Sequence, residues 1–116
     1  MNKQAIVIGA GIAGLASART LAILGYKVRV IERNDKAVGA SIRNFGMVWP
    51  VGQPEGEWYE TAMRSRSIWK EICTEAGIWY DAVGSLHMAY APDEWQVLQE
   101  FAAGTDPSRG CEVLTP

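Results

Sequence analysis

Six residues, Gly9-Ala10-Gly11-Ile12-Ala13-Gly14, separate a short apolar run from a helical pattern, and that spacing restricts the chain more than any other feature. Before them, Ala5-Ile6-Val7-Ile8 reads as a buried strand. After them, Leu15, Ala18, Leu21 and Ala22 recur with helical period, and Gly25 stops the helix. Tyr26 to Ile31 then forms a second strand that ends at Glu32. Strand, glycine turn, helix and strand make one βαβ unit, which places the fold in the α/β class.

Alone, G-x-G-x-x-G is a weak signal, but here it stands where a strand hands over to a helix. Each glycine has a separate reason in that setting. Gly9 makes the tight turn, Gly11 removes the side chain that would block a pyrophosphate, and Gly14 lets helix and strand pack closely. The helix N-terminus offers unpaired N–H groups and a partial positive charge to phosphates. Glu32, 18 positions beyond Gly14, is placed to accept hydrogen bonds from both ribose hydroxyls of a dinucleotide. A carboxylate there repels a 2′-phosphate, which argues against NADP.

Lys3, the apolar stretch to Leu15 and Ala16-Ser17-Ala18 together imitate a secretory signal with its cleavage site. Three glycines at fingerprint spacing interrupt that stretch, and cleavage would destroy the βαβ unit, so it reads as mature protein. No run reaches the roughly 18 apolar residues that span a bilayer. With a formal net charge of −2 and both signs interspersed, nothing suggests a nucleic-acid or anionic-membrane surface. Cys73 and Cys111 form no C-x-x-C pair and read as buried, inert thiols of a reducing cytoplasm. His87 has no second ligand at metal-binding spacing and reads as structural.

Arg33-Asn34-Asp35-Lys36 is a polar turn, followed by the glycine-punctuated stretch Gly39 to Gly46 without clear period. From Trp58 a helix is expected with Trp58, Ala62, Trp69, Ile72, Cys73 and Ala76 on one face and Gly77 as its left-handed C-cap. Ile78-Trp79-Tyr80 and Ser85 to Tyr90 read as strands, the second with Leu86, Met88 and Tyr90 on a buried face. A last helix starts at Pro92-Asp93-Glu94, carries Trp95, Leu98 and Phe101 or Ala102 as its stripe, and ends at Gly104. Thr105 to Gly110 is loop, and Cys111-Glu112-Val113-Leu114 opens an element left unfinished. Only one βαβ unit is evident where a nucleotide-binding sheet needs several strands. The expectation is therefore an incomplete Rossmann-like unit followed by an α+β excursion, with residues 1–116 forming the N-terminal part of a larger protein.

The stretch Gly9 to Asn44 resembles flavoproteins of the D-amino-acid oxidase, glycine oxidase and D-amino-acid dehydrogenase superfamily. In that family the glycine fingerprint lies at the extreme N-terminus, and the acid is commonly followed by a basic residue, as in Glu32-Arg33. A second stretch similar to Gly39-Ala40-Ser41-Ile42-Arg43-Asn44-Phe45-Gly46 follows, and its Ala-Ser-x-x-Asn-x-Gly form is that of the amine-oxidising branch. The resemblance implies FAD as the dinucleotide. An extended FAD needs a second backbone segment under its pyrophosphate and ring, and Gly39 to Gly46 permits that approach. On this reading Gly9, Gly11, Ile12 and Gly14 form the pyrophosphate turn, and Glu32 with Arg33 holds the adenosine. Ser41, Arg43, Asn44, Gly46 and Met47 run along phosphate and flavin. Met47, Val48 and Trp49 either pack under a substrate domain or line the flavin pocket.

Residues 43–53 also look like a narrower subgroup proposed to act in aminophosphonate use, although no Arg or Lys cluster fit for a phosphonate is present. The resemblance implies an oxidoreductase that takes a hydride from the C–N bond of a small amine or amino acid, with the substrate-binding and catalytic residues beyond Pro116. Two other readings stay open: an NAD or FAD module of another oxidoreductase, and a non-catalytic truncated fragment. The 116-residue chain alone is expected to be inactive and to lose FAD.

Overall fold

A computed structural model of the chain describes residues 3–114. They form two units, one ending at Met47 and one beginning at Val48.

The first unit holds β1 (Gln4–Ile8), α1 (Ile12–Ile23) and β2 (Lys27–Ile31). The strands run parallel in register from Gln4 opposite Lys27 to Ile8 opposite Ile31, which is the expected βαβ unit. Along the strands, Ala5, Val7 and Val28 are half-buried on one face, whereas Ile6 and Ile8 point the other way and are 65% and 86% exposed. The second strand starts one residue later than the sequence suggests, because the Tyr26 N–H donates to the Leu21 carbonyl and so closes the helix (3.0 Å). Ala16-Ser17-Ala18 lies in the middle of α1, with the Ser17 hydroxyl bonded back to the Ala13 carbonyl. Ala40–Arg43, within the stretch expected to lack regular structure, winds into a short 3-10 turn.

The second unit is built on α2 (Glu57–Ala76) and α3 (Pro92–Gly104). Glu57 and Glu60 put negative charge in the first turn of α2. Gly77 ends it at φ 64°, and the amide of Ile78 returns to the Cys73 carbonyl. The covered face is the expected one at Ala62, Trp69, Ile72 and Cys73 and differs at its two ends. Tyr59, Ala62, Met63, Trp69, Ile72 and Cys73 are shielded, while Trp58 is 69% exposed and Ala76 is exposed. Tyr59 takes the place of Trp58 because it stands three and four residues before Ala62 and Met63, the spacing that shares a helix face.

In α3 the half-buried stripe is Trp95, Leu98 and Ala102, with Phe101 turned outward. Glu94 starts this helix by accepting the amides of Tyr90 (2.7 Å) and Ala91 (3.2 Å). Neither expected strand of this unit forms. Ile78 to Tyr80 and Ser85 to Tyr90 join no ladder, and Leu86, Met88 and Tyr90 are exposed. Alternation marks a face that can be covered, but a strand needs a hydrogen-bonded neighbour, and among the described residues none pairs with either segment. The loop after Gly104 contains a 3-10 turn at Pro107–Arg109, and Cys111 to Leu114 has no regular structure. Cys73 is buried, as expected of an inert thiol, but Cys111 is exposed.

Arg109 ties this unit together. Its guanidinium donates to the carbonyls of Val51 and Gln53, both at 2.9 Å, and lies 4.1 Å over the Tyr59 ring. Arg109→Ala should cost about 1–3 kcal/mol, because two carbonyls lose a charged donor and the ring loses its cation. A thermal melt of the full-length protein checks this, and an unchanged midpoint would show the guanidinium to be dispensable.

Candidate cofactor-binding site

The site grows from the end of β1. Gly9 turns the chain at φ 100°, a conformation that side chains rarely tolerate, and its N–H donates to the Ile31 carbonyl at 2.7 Å. Ala10 then points its amide at Glu32, whose Oε2 accepts it at 2.9 Å. Gly11 is the N-cap of α1 in ordinary extended geometry. The Ile12 amide at the head of the helix donates to the Ser41 hydroxyl at 2.9 Å. That serine arrives from the 3-10 turn 29 residues along the chain, so fingerprint and second segment meet within one unit.

The two inner glycines are explained by what a Cβ would touch. On Gly14 it would overlap the Gly9 carbonyl and stand 3.5 Å from Val7, so α1 crosses the turn at a distance only hydrogen allows. On Gly11 it would stand 3.2 Å from the Ser41 hydroxyl, above the helix start. A backbone free of side chains, first-turn amides and a partial positive charge together suit a pyrophosphate.

Glu32 does more than its sequence position suggests. Besides the Ala10 amide it accepts the Asn34 backbone N–H (3.3 Å) and side-chain amide (3.4 Å). These bonds hold its carboxyl below the usual glutamate range, the Ala10 amide contributing most, then Asn34, with smaller help from the Arg33 amide and charge. The signs give a pH dependence. A carboxyl whose pKa is lower in the folded state stabilises that state at neutral pH. The contribution lasts down to the ordinary glutamate range, near about pH 4.3, and is lost as pH falls through the lower folded value. The gap in melting temperature between the full-length protein and its Glu32→Gln variant should therefore narrow below that range, and a gap independent of pH would contradict it.

Ala10 and Asn34 are the site residues that sequence reasoning missed. The signal for Asn34 was an Asn two positions after the acid, in a polar turn. For Ala10 no side-chain signal exists, since only its backbone takes part. Arg33, Arg43, Asn44, Gly46 and Met47 are exposed, and among the described residues none of their side chains bonds the glycine turn. In the second unit the Trp49 indole donates to Ser85 at 3.2 Å, and its ring centroid lies 5.4 Å from that of His87. His87 in turn sits 3.3 Å from the Ser85 hydroxyl, and it belongs to no strand. No group of metal-ligating side chains occurs among the described residues, and none of their helices is long and apolar enough to cross a membrane.

Residues 4–116 match the model of a protein family described as FAD dependent oxidoreductase, the DAO family. The chain belongs to that family. Its cofactor is FAD, and the unit described above is the start of the family's Rossmann-like cofactor domain. A D-amino acid dehydrogenase of Helicobacter pylori is 50% identical over 48 residues, covering 41% of this chain and 12% of the relative. A glycine oxidase of Pseudomonas aeruginosa is 39% identical over 51 residues, covering 44% and 14%. A 4,4'-diapolycopene oxygenase of Methylomonas is 53% identical over 38 residues, covering 33% and 8%. The chain thus spans only a small part of these relatives, and the shared part is compatible with more than one chemistry. No solved structure matches the chain.

Proposed function

We propose that this FAD-dependent oxidoreductase oxidises the C–N bond of a small amine or amino acid, and that the present chain supplies the N-terminal part of its FAD cradle. The observation that carries the reading is the meeting of Ser41 with the head of α1. It brings the Ala-Ser-x-x-Asn-x-Gly segment, whose form is that of the amine-oxidising branch, to the same point as the glycine fingerprint. Matches to the D-amino acid dehydrogenase and the glycine oxidase also extend over 48 and 51 residues, against 38 for the 4,4'-diapolycopene oxygenase.

Bound FAD supplies a hydride acceptor. The chain's own residues position it. Gly9, Gly11 and Gly14 keep the turn low enough for a pyrophosphate to lie on the first-turn amides of α1. Ser41 accepts from the Ile12 amide, so its own O–H is free to donate to a phosphate oxygen. Glu32 takes the adenosine ribose with Arg33 beside it, and Arg43, Asn44, Gly46 and Met47 follow the cofactor toward its ring. The substrate is bound by residues outside this chain. A two-stranded parallel sheet with Ile6 and Ile8 exposed needs further cover, in keeping with a cradle completed elsewhere in the protein.

The test uses the full-length protein. It should be yellow as purified, and under anaerobic conditions small amines or amino acids should bleach its flavin absorbance with release of the imine-derived carbonyl product. A yellow protein bleached only by substrates without a C–N bond would overturn the assignment of chemistry and keep that of cofactor.

A further inference from the structure

We infer that Glu32 is a positioning residue for the cradle itself: its carboxylate holds the glycine turn through the Ala10 amide, so the turn is set for a pyrophosphate before any ribose is bound. The inference rests on the reading above that this turn takes a pyrophosphate. Ala10 stands between two glycines, where the backbone has most freedom and no side chain of size to pack. Two bonds, one from the last residue of β2 and one from the residue after it, act on this stretch: the Ile31 carbonyl accepts the Gly9 amide, and Glu32 Oε2 accepts the Ala10 amide. From the other side Ser41 accepts the Ile12 amide. Of the three acceptors only Glu32 carries a charge, and bonds to an ionised acceptor are the stronger kind.

The same carboxylate has room for both duties. Its two oxygens offer about four acceptor positions. Oε2 serves Ala10 once and Oε1 serves Asn34 twice, through its backbone N–H and its side-chain amide, which leaves one acceptor position, on Oε2, for a ribose hydroxyl. A glutamine has one carbonyl oxygen, and its NH2 would face either the Ala10 or the Asn34 amide as donor against donor. The exchange Glu32→Gln therefore disturbs the turn even with no nucleotide present, which a ribose contact alone cannot do.

The experiment takes the full-length protein stripped of flavin and reads amide hydrogen exchange together with the affinities for inorganic pyrophosphate and for FAD. In the unaltered protein the Ala10 amide should exchange at least about tenfold more slowly than that of Ala13, a first-turn amide without an intrahelical acceptor. In Glu32→Gln that protection should vanish, and pyrophosphate affinity should fall about three- to tenfold although pyrophosphate has no ribose. FAD affinity should fall further, by roughly ten- to a hundredfold, since both contacts are lost. Unchanged Ala10 exchange and pyrophosphate affinity beside weakened FAD would leave the ribose contact standing and overturn the positioning role. Lost Ala10 protection with no measurable pyrophosphate binding in either protein would support the latch and overturn the pyrophosphate reading instead. Should Glu32→Gln not fold, the unaltered protein still decides: an Ala10 amide exchanging as fast as Ala13 overturns the proposal.

Discussion

Gly14→Ala should leave the full-length protein without FAD after gel filtration. The single added carbon would overlap the Gly9 carbonyl, and that carbonyl has little freedom to yield. The Gly9 amide is bonded to Ile31 at 2.7 Å, and the next amide is held by Glu32 at 2.9 Å. The strain is relieved only by lifting α1 off the turn or by turning the Gly9 peptide. Either movement takes the first-turn amides away from the place where a pyrophosphate would lie. Overpacking by one carbon typically costs about 1–3 kcal/mol where neighbours can relax, and a fixed backbone oxygen puts this site at the upper end or above. The melting midpoint of the apoprotein should drop with it. Normal flavin occupancy in Gly14→Ala would mean that the helix can pack on this turn in another way, and the close-approach argument would fail.

The parts of the molecule that proved readable are those fixed by local chemistry. A strand, a turn that needs glycine at φ 100°, a helix and an acid at the end of the next strand each leave a residue-level mark. Strands β1 and β2 appear within a residue of their expected bounds, and α1 starts at Ile12, inside the glycine hexamer and three residues before Leu15, the first periodic position. Helices α2 and α3 were legible for the same reason, through their 3.6-residue period and a glycine or proline at an end. What was not legible depends on partners. Ser85 to Tyr90 has the alternation of a strand, yet pairing is a property of two segments, and the sequence of one says nothing of the other. On α2 the covered face is the expected one at Ala62, Trp69, Ile72 and Cys73, but in its first turn Tyr59 and not Trp58 is shielded, because Tyr59 is the one that Arg109 covers.

At the site the difference is between side chains and backbone. The sequence points to Ser41 for a phosphate contact, and what the structure shows is its hydroxyl accepting the Ile12 amide at 2.9 Å at the head of α1. Glu32 was chosen for a ribose, and the structure adds a bond to Ala10 that no sequence pattern encodes, because every residue but proline has the amide it uses. Under the proposed function, one acid would link loop order to cofactor recognition through a single functional group.

Gly11→Val should behave unlike Gly14→Ala, and the contrast separates folding from binding. Gly11 sits at φ −70° and ψ 173°, extended geometry that any residue adopts, so the backbone asks for no glycine. A Cβ there meets only the Ser41 hydroxyl, at 3.2 Å, and a hydroxyl at the end of a rotatable bond can give by the few tenths of an ångström required. Valine's two methyls, however, extend beyond the Cβ over the first turn of α1, where a pyrophosphate needs direct access to N–H groups. The protein should therefore fold, with a melting midpoint within a few degrees of the parent apoprotein, and be colourless. Alanine at the same position should fall between, keeping part of the flavin and weakening its affinity by about tenfold, the scale of one hydrogen bond displaced. If Gly11→Val retained full flavin, the turn would be a packing device alone, and the phosphates would have to lie elsewhere.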